Sequence, residues 1–403
     1  MTIAFIDGGV TAPAGLRAAG VAAGIKKNGG LDVSLVESTA LASAAAVFTT
    51  NKAVAAPVLV SREHLAATHG RARAVVINSG CANACTGPQG MQTARLMAAE
   101  TARAVGCEAE EVLVASTGVI GVQLDQRKVS AGIIEAAHQL SPGNNAQAAV
   151  AIMTTDPFPK EHAVRCTLDS GASFAVGGMA KGSGMIEPNL ATMLAVVTTD
   201  AAIDSAVLRL ALVEACEDTF NAITVDGECS TNDTVFALAS GASGVSIDQG
   251  TYAAFVEALR EVCMELALGI VRGGEGATKL VTVHVTGAAT YADAKLCARA
   301  IANSLLVKTA IHGGDPNWGR LVAVAGRSGS AFDLMRARVL VGETVMFEGG
   351  RPFDERAPLA AAHLAGTEVD VTVDLGMGGD HDATMFTCDL TADYVRINAD
   401  YRT

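Results

Sequence analysis

The stretch ATMLAVVTT, residues 191–199, constrains the fold more than any other. After Thr192 it carries no polar residue until Thr198. A surface strand alternates apolar and polar positions, whereas an unbroken apolar run of this length reads as a strand covered on both faces. A sheet buried on both sides needs further layers around it, so the chain is expected to be a layered α/β or α+β protein. The loop just before the strand is of the opposite character. KGSGMIEPN begins with the basic Lys181, followed by two glycines, a serine and a proline. A polar loop therefore delivers a threonine hydroxyl to the mouth of a core strand.

The same layering signal recurs along the chain. RAVVINSG (Arg73 to Gly80) and EVLVAS (Glu111 to Ser116) read as short buried strands, with a helix from Met91 between them. Phe255, Leu259, Val262 and Leu266 recur at helical spacing against a charged opposite face. Val281, Val283 and Val285 then alternate with Thr282 and His284, which is strand periodicity. Ala294, Cys297, Ala298, Ile301 and Leu305 restore the helical period.

Composition narrows the function. Of 403 residues, half are hydrophobic and the net charge is −13. An acidic surface repels phosphates, which argues against a nucleic-acid partner. The nine cysteines are odd in number and scattered, so they form no disulfide framework. The amino-terminal stretch carries Asp7 and no basic region before an apolar one, so no secretory signal is expected. No run of about 18 apolar residues is present, and no membrane partner is expected. A cytoplasmic location follows as the expectation.

Familiar catalytic signatures, GxxxxGK[ST], HExxH and GxSxG, are missing from the sequence. Cys81 and Cys85 in CANAC stand at a spacing a metal could use, but no second cluster completes a four-ligand set, and no metal is expected. Hydroxyls remain. A threonine hydroxyl is a weak nucleophile that needs a base. If the chain is cut immediately before Thr192, the new α-amine, with a pKa near ~8, supplies one. The small Ala191 lets the hydroxyl approach the preceding carbonyl. Thr192 is equally a common β-branched core residue, and ATM recurs at Ala383 to Met385, so the tripeptide alone does not specify a cut.

Segments from end to end resemble the glutamate N-acetyltransferase family, also called ornithine acetyltransferases. They are GVTAPAGLRAAGVAAGIK from Gly9, NSGCANACTG from Asn78, STGVIG from Ser116 and MTTDPFPK from Met153. MAKGSGMIEPNLATML from Met179, TFNAITVDGECSTNDTV from Thr219, GEGATK from Gly274, GGDPNWGR from Gly313 and the tail YVRINADYRT follow in order. The resemblance implies a layered αββα sandwich of the N-terminal-nucleophile kind. It implies self-cleavage between Ala191 and Thr192, giving chains 1–191 and 192–403 that stay together as (αβ)₂ or larger. Thr192 then carries acetyl from N2-acetyl-L-ornithine to L-glutamate, with no organic cofactor. Some members also take acetyl-CoA as a donor, and the residues leave that open.

The resemblance also implies roles. Thr117 and Gly118 match the oxyanion pair. Thr155, Lys181, Glu275, Asn398 and Thr403 match substrate contacts, with Lys181 suited to an α-carboxylate and Glu275 to the distal ammonium of ornithine. One departure lies at Arg272 and Gly273, where the family usually places an acidic residue before the glycine–glutamate pair. VDGECSTND, from Val225 to Asp233, reads as a structural or site-lining turn without a catalytic role. Two rivals stay open: a self-cleaving aminopeptidase or amidohydrolase that releases the acyl group to water, and an uncut non-catalytic scaffold.

Overall fold

A computed structural model describes residues 1–187 and 193–400. The chain forms two compact units, one from Met1–Asn221 and Cys229–Ile270, the other from Ala222–Glu228 and Val271 onward. The boundary expected from scission, after residue 191, falls inside the first unit and divides the chain differently.

The first unit is built on a nine-stranded mixed sheet. Its strands are Thr2–Phe5 (β1), Leu16–Val21 (β2), Val33–Phe48 (β3), Arg71–Cys81 (β4), Val112–Val119 (β5), Lys160–Thr167 (β6), Ser173–Lys181 (β7), Leu194–Thr199 (β8) and Thr234–Ala239 (β9). The helices are Ala56–Ala67 (α1), Gly87–Val105 (α2), Gln126–His138 (α3), Asn145–Ile152 (α4), Ser205–Glu217 (α5) and Tyr252–Arg272 (α6). The strand order is β1-β6-β7-β8-β9-β3-β4-β5, with β2 also on β3.

The long β3 makes the layers. Residues 33–37 pair with β4 and residues 43–48 with β9, and the register shifts in between. The sheet folds over a shared core in which Val36, Ile77 and Leu113 meet Met179, Val196 and Phe236, with Ala148 and Ile152 of α4 among them. On the outer face of β3–β5, Leu35, Val76 and Val114 pack against Met97 of α2 and Ile133 of α3. On the outer face of β7, a Cβ at Gly178 would meet Leu266 and Val262 of α6 at 2.9 and 3.2 Å, so glycine lets the helix lie close. This is the layered α/β arrangement that the apolar pattern predicts, in the αββα form that the family resemblance implies. All six residues of β8 are buried, as its missing alternation requires.

The second unit carries a six-stranded sheet. Leu280–Ala288 (β10), Arg338–Val341 (β11), Thr344–Glu348 (β12), Arg351–Pro352 (β13), Glu368–Asp374 (β14) and His381–Cys388 (β15) lie in the order β13-β12-β11-β14-β10-β15. Val281, Val283 and Val285 face helices Tyr291–Ala302 (α7) and Trp318–Arg327 (α9) across a core with Ala298, Ile301 and Val324. The helical period read through Leu305 is broken. The Ser304 side chain accepts from Val307 N–H and starts a second helix, Leu305–His312 (α8), leaving Leu305 66% exposed. The unit ends with Ala357–Leu364 (α10) and Ala392–Asp400 (α11).

Candidate active site

The chemistry-bearing end of the first unit begins where β5 runs parallel to β4. The register shifts there, with Thr117 opposite both Ser79 and Cys81. Gly118 has φ +126°, and a Cβ on it would stand 2.4 Å from the carbonyl carbon of Gly80 and 2.6 Å from the nitrogen of Cys81. No side chain fits between two backbones at that distance, so the position demands glycine. The bulge is held from outside. Ser116 Oγ donates to Asn78 Oδ1 at 2.6 Å, and Asn232 Nδ2 donates to the carbonyls of Ala82 and Ser116 at 2.6 and 2.8 Å.

Lys181 closes β7, and its ammonium donates to Thr117 Oγ1 at 3.1 Å. Both residues are under a tenth exposed. With a lone pair of its oxygen occupied, the Thr117 hydroxyl directs its own proton elsewhere. Burying an ammonium is costly without compensation. Asp156 supplies it for the neighbourhood. Its Oδ1 accepts from Lys160 Nζ at 2.6 Å and from Gly182 N–H at 2.7 Å, and its Oδ2 from Thr154 N–H at 2.9 Å. The Gly182 bond fixes the backbone one residue beyond Lys181. Thr155, half-buried, lies on the same turn.

Electrostatics follow from this packing. Burial alone would push the Asp156 carboxyl up, but the Lys181 and Lys160 ammoniums and the donors on its oxygens outweigh it and hold it at about 2. Burial draws Lys160 downward against the pull of Asp156. The charged carboxylate is the firm side of the pair, because three N–H donors converge on it. Lys26 is also drawn down by burial, with Asp32 and Asp156 opposing and Lys181 adding to the fall. Three ammoniums thus share one neighbourhood, which suits an incoming carboxylate.

The flanks of the segment 188–192 are anchored. Ile186 bridges to Cys229, and Met193 O accepts from Thr234 N–H at 2.9 Å. Met185 has φ +59°, an uncommon conformation for a side chain of its size. Ala191, Thr192 and Thr403 lie outside the described residues. The second ATM, Ala383–Met385, lies within β15, paired with Val285, His284 and Val283 of β10.

In the second unit, Glu275 is buried and its Oε2 accepts from Asn398 Nδ2 at 2.7 Å. Gly276, at φ +69°, brings the loop so close to α11 that a Cβ would lie 2.6 Å from Tyr394 N. Thr391 Oγ1 donates to Gly276 O at 2.8 Å. Tyr394 Oη stands 3.3 Å from Asp226 Oδ2, and burial, reinforced by Asp226, Glu275 and Glu228, pushes the phenol above its ordinary range. Arg272, the departure noted in the sequence, is met by Glu368 at 2.9 Å, so its charge is answered locally.

Thr117 with Lys181, and Glu275 with Asn398, are therefore brought into contact within their units. Cys81 is buried with Sγ 3.3 Å from Val122 O, burial raises its thiol, and Cys85 is exposed. Among the described residues no group of three or more His, Cys, Asp or Glu could hold a metal ion, and no helix is long and apolar enough to cross a membrane. Sequence reasoning missed Asp156, Lys160 and Asn232. The signal for the first two was the four-residue spacing in DPFPK, which reads as a proline turn.

Residues 17–403 match the ArgJ family. The arginine biosynthesis bifunctional protein ArgJ of Symbiobacterium thermophilum is 52% identical over 99% of this chain and 100% of its own. That of Geobacter sulfurreducens is 48% identical over 96% of this chain and 99% of its own. The ornithine acetyltransferase of Mycobacterium tuberculosis, crystallised with ornithine, is 46% identical, covers 47% of this chain and 100% of that one, and has a TM-score of 0.44. The chain belongs to the ArgJ family.

Proposed function

We propose that the chain transfers acetyl from N2-acetyl-L-ornithine to L-glutamate through an acetyl ester on Thr192. The products are L-ornithine and N-acetyl-L-glutamate. As a family member it is an acyltransferase of arginine biosynthesis. The observation that carries the reading is the Lys181–Thr117 contact beside Gly118. It leaves the hydroxyl proton of Thr117 free to meet an oxyanion, while strand geometry fixes the backbone of Gly118. Each such donor contributes ~3–4 kcal/mol when charge develops on the carbonyl oxygen.

The precursor first cuts itself between Ala191 and Thr192. Lys181 of β7 pairs with Leu194 of β8, so fragments 1–191 and 192–403 stay hydrogen-bonded in one sheet. The Thr192 hydroxyl then attacks the acetyl carbonyl carbon, and its proton passes to the Thr192 α-amine. The bond to N2 of ornithine breaks as that nitrogen takes the proton. The amine of glutamate next attacks the ester carbonyl, and Thr192 Oγ leaves with a proton. The acetyl group stays on the enzyme's own oxygen between substrates, so no organic cofactor is called for; acetyl-CoA enters this scheme as an alternative first donor.

Lys181, with two N–H bonds beyond that to Thr117, takes the α-carboxylate common to both substrates. Thr155, Glu275, Asn398 and Thr403 complete the substrate contacts, Glu275 taking the ornithine ammonium. We place the enzyme in the cytoplasm as paired fragments assembled at least as (αβ)₂. Assay of labelled acetyl tests the reading. The label should move from acetylornithine to glutamate in a ping-pong pattern. Release as free acetate at the same rate would favour the amidohydrolase instead.

A further inference from the structure

We infer that Lys26 is a second substrate-binding residue of the first unit, sharing the substrate α-carboxylate with Lys181, one carboxylate oxygen to each ammonium. This rests on the acetyl transfer proposed above. Lys26 is half-buried. A Cβ on Gly80 would stand 3.1 Å from Lys26 Cγ, 3.3 Å from Ile25 Cγ2 and 3.4 Å from Lys26 N. Gly80 is also the residue against which Gly118 packs. Its missing side chain therefore admits the Lys26 stem beside the bulge that carries Thr117.

The backbone under Lys26 is fixed. Asp32 is fully buried; its Oδ1 accepts from Ala23 N–H at 2.6 Å, and its Oδ2 from the N–H groups of Ile25 and Lys26 at 2.6 and 2.9 Å. Ser79 N–H donates to Asp32 O at 2.9 Å, which ties this loop to β4. Backbone donors occupy both oxygens of Asp32, so the Lys26 ammonium is not needed to satisfy them. That ammonium donates instead to Leu31 O at 2.6 Å.

An ammonium has three N–H bonds. Lys26 gives one to Leu31 O and Lys181 gives one to Thr117 Oγ1, and among the described residues neither has a carboxylate at ion-pair distance. Asp156 acts on both charges, but its ion pair is with Lys160, at 2.6 Å. Lys26 and Lys181 lie near enough to repel, and burial adds to the cost. A carboxylate that takes an N–H from each relieves both, through charge-assisted hydrogen bonds. In the proposed scheme Lys181 takes the α-carboxylate, so Lys26 beside it meets the same group.

The test compares wild type with Lys26→Met, which keeps the stem and drops the charge, in the labelled-acetyl assay. KM should rise roughly tenfold or more for acetylornithine and for glutamate alike, with kcat and melting temperature near wild type. Unchanged KM values, or a rise for one substrate alone, would overturn the inference and leave the proposed function standing. Wild type that moves no acetyl to glutamate overturns both. Should Lys26→Met not fold, wild type decides. Saturating ornithine should abolish reductive methylation of Lys26, read by peptide mass, and unchanged labelling overturns the inference.

Discussion

The Lys181–Thr117 contact in the first unit and the Glu275–Asn398 contact in the second differ in how they are held. Lys181 ends β7 and Thr117 lies near the end of β5, both are under a tenth exposed, and the backbone beside each is fixed, by Asp156 on Gly182 and by the bulge at Gly118. Glu275 is likewise buried, but its partner Asn398 is exposed and sits on α11, a nine-residue helix with no buried residue. Strand ends buried in a sheet keep donors aimed through a reaction, which is what oxyanion stabilisation needs. A lightly anchored helix holds its donor with less constraint. In the proposed scheme the acetyl position is shared by both substrates, while their side chains carry opposite charges. The rigid contact suits the shared part and the looser one the part that differs.

The comparison breaks first at Gly118. Gly118→Ala forces a Cβ against the Gly80 backbone at positive φ. We expect a loss of more than ~3 kcal/mol in stability and no measurable acetyl transfer; thermal melting and the transfer assay check both. A variant with wild-type melting would show that the bulge gives way.

Asp156→Asn comes next. It strands the Lys160 ammonium, whose side chain is 2% exposed, and should cost about 3–5 kcal/mol. Wild type also gains an acid-side signature from this residue. The folded carboxyl is held at about 2, below its ordinary 3.8. Its stabilisation, about 2 kcal/mol, is therefore present above pH 3.8 and lost as pH falls from there toward 2. Urea melts across that window should show the slope in wild type and a shallower one in Asp156→Asn.

The smallest effect belongs to the looser contact. Asn398→Ala removes one donor from Glu275, about 1–2 kcal/mol. We expect KM for acetylornithine to rise about tenfold, with kcat near wild type and self-cleavage untouched. A drop in kcat equal to the rise in KM would put α11 in the transition state's grip, against the division drawn above.

Much of this architecture is legible from sequence. Val75 to Ile77, Leu113 to Ala115 and the valines of β10 declare strands because burial on a sheet face leaves an uninterrupted or alternating apolar trace. The course of β3 is not legible. Its later half is alanine-rich, and alanine favours helix, so pairing with β4 and β9 overrides local preference. Leu305 continues the helical period by coincidence, while the cap at Ser304 decides the break. In the site, Gly118 and Lys181 are visible as motif members. The burial of Asp156 is not, because aspartate in a turn segment reads as solvated until the strands that cover it are in place.

Intact-mass spectrometry of the purified, active protein tests the central claim most directly. The account predicts two chains, residues 1–191 and 192–403, in equal amount, with a free amine on Thr192 and an added acetyl group on the second chain after incubation with acetylornithine. A single 40.9 kDa chain in material that transfers acetyl at full rate would contradict it.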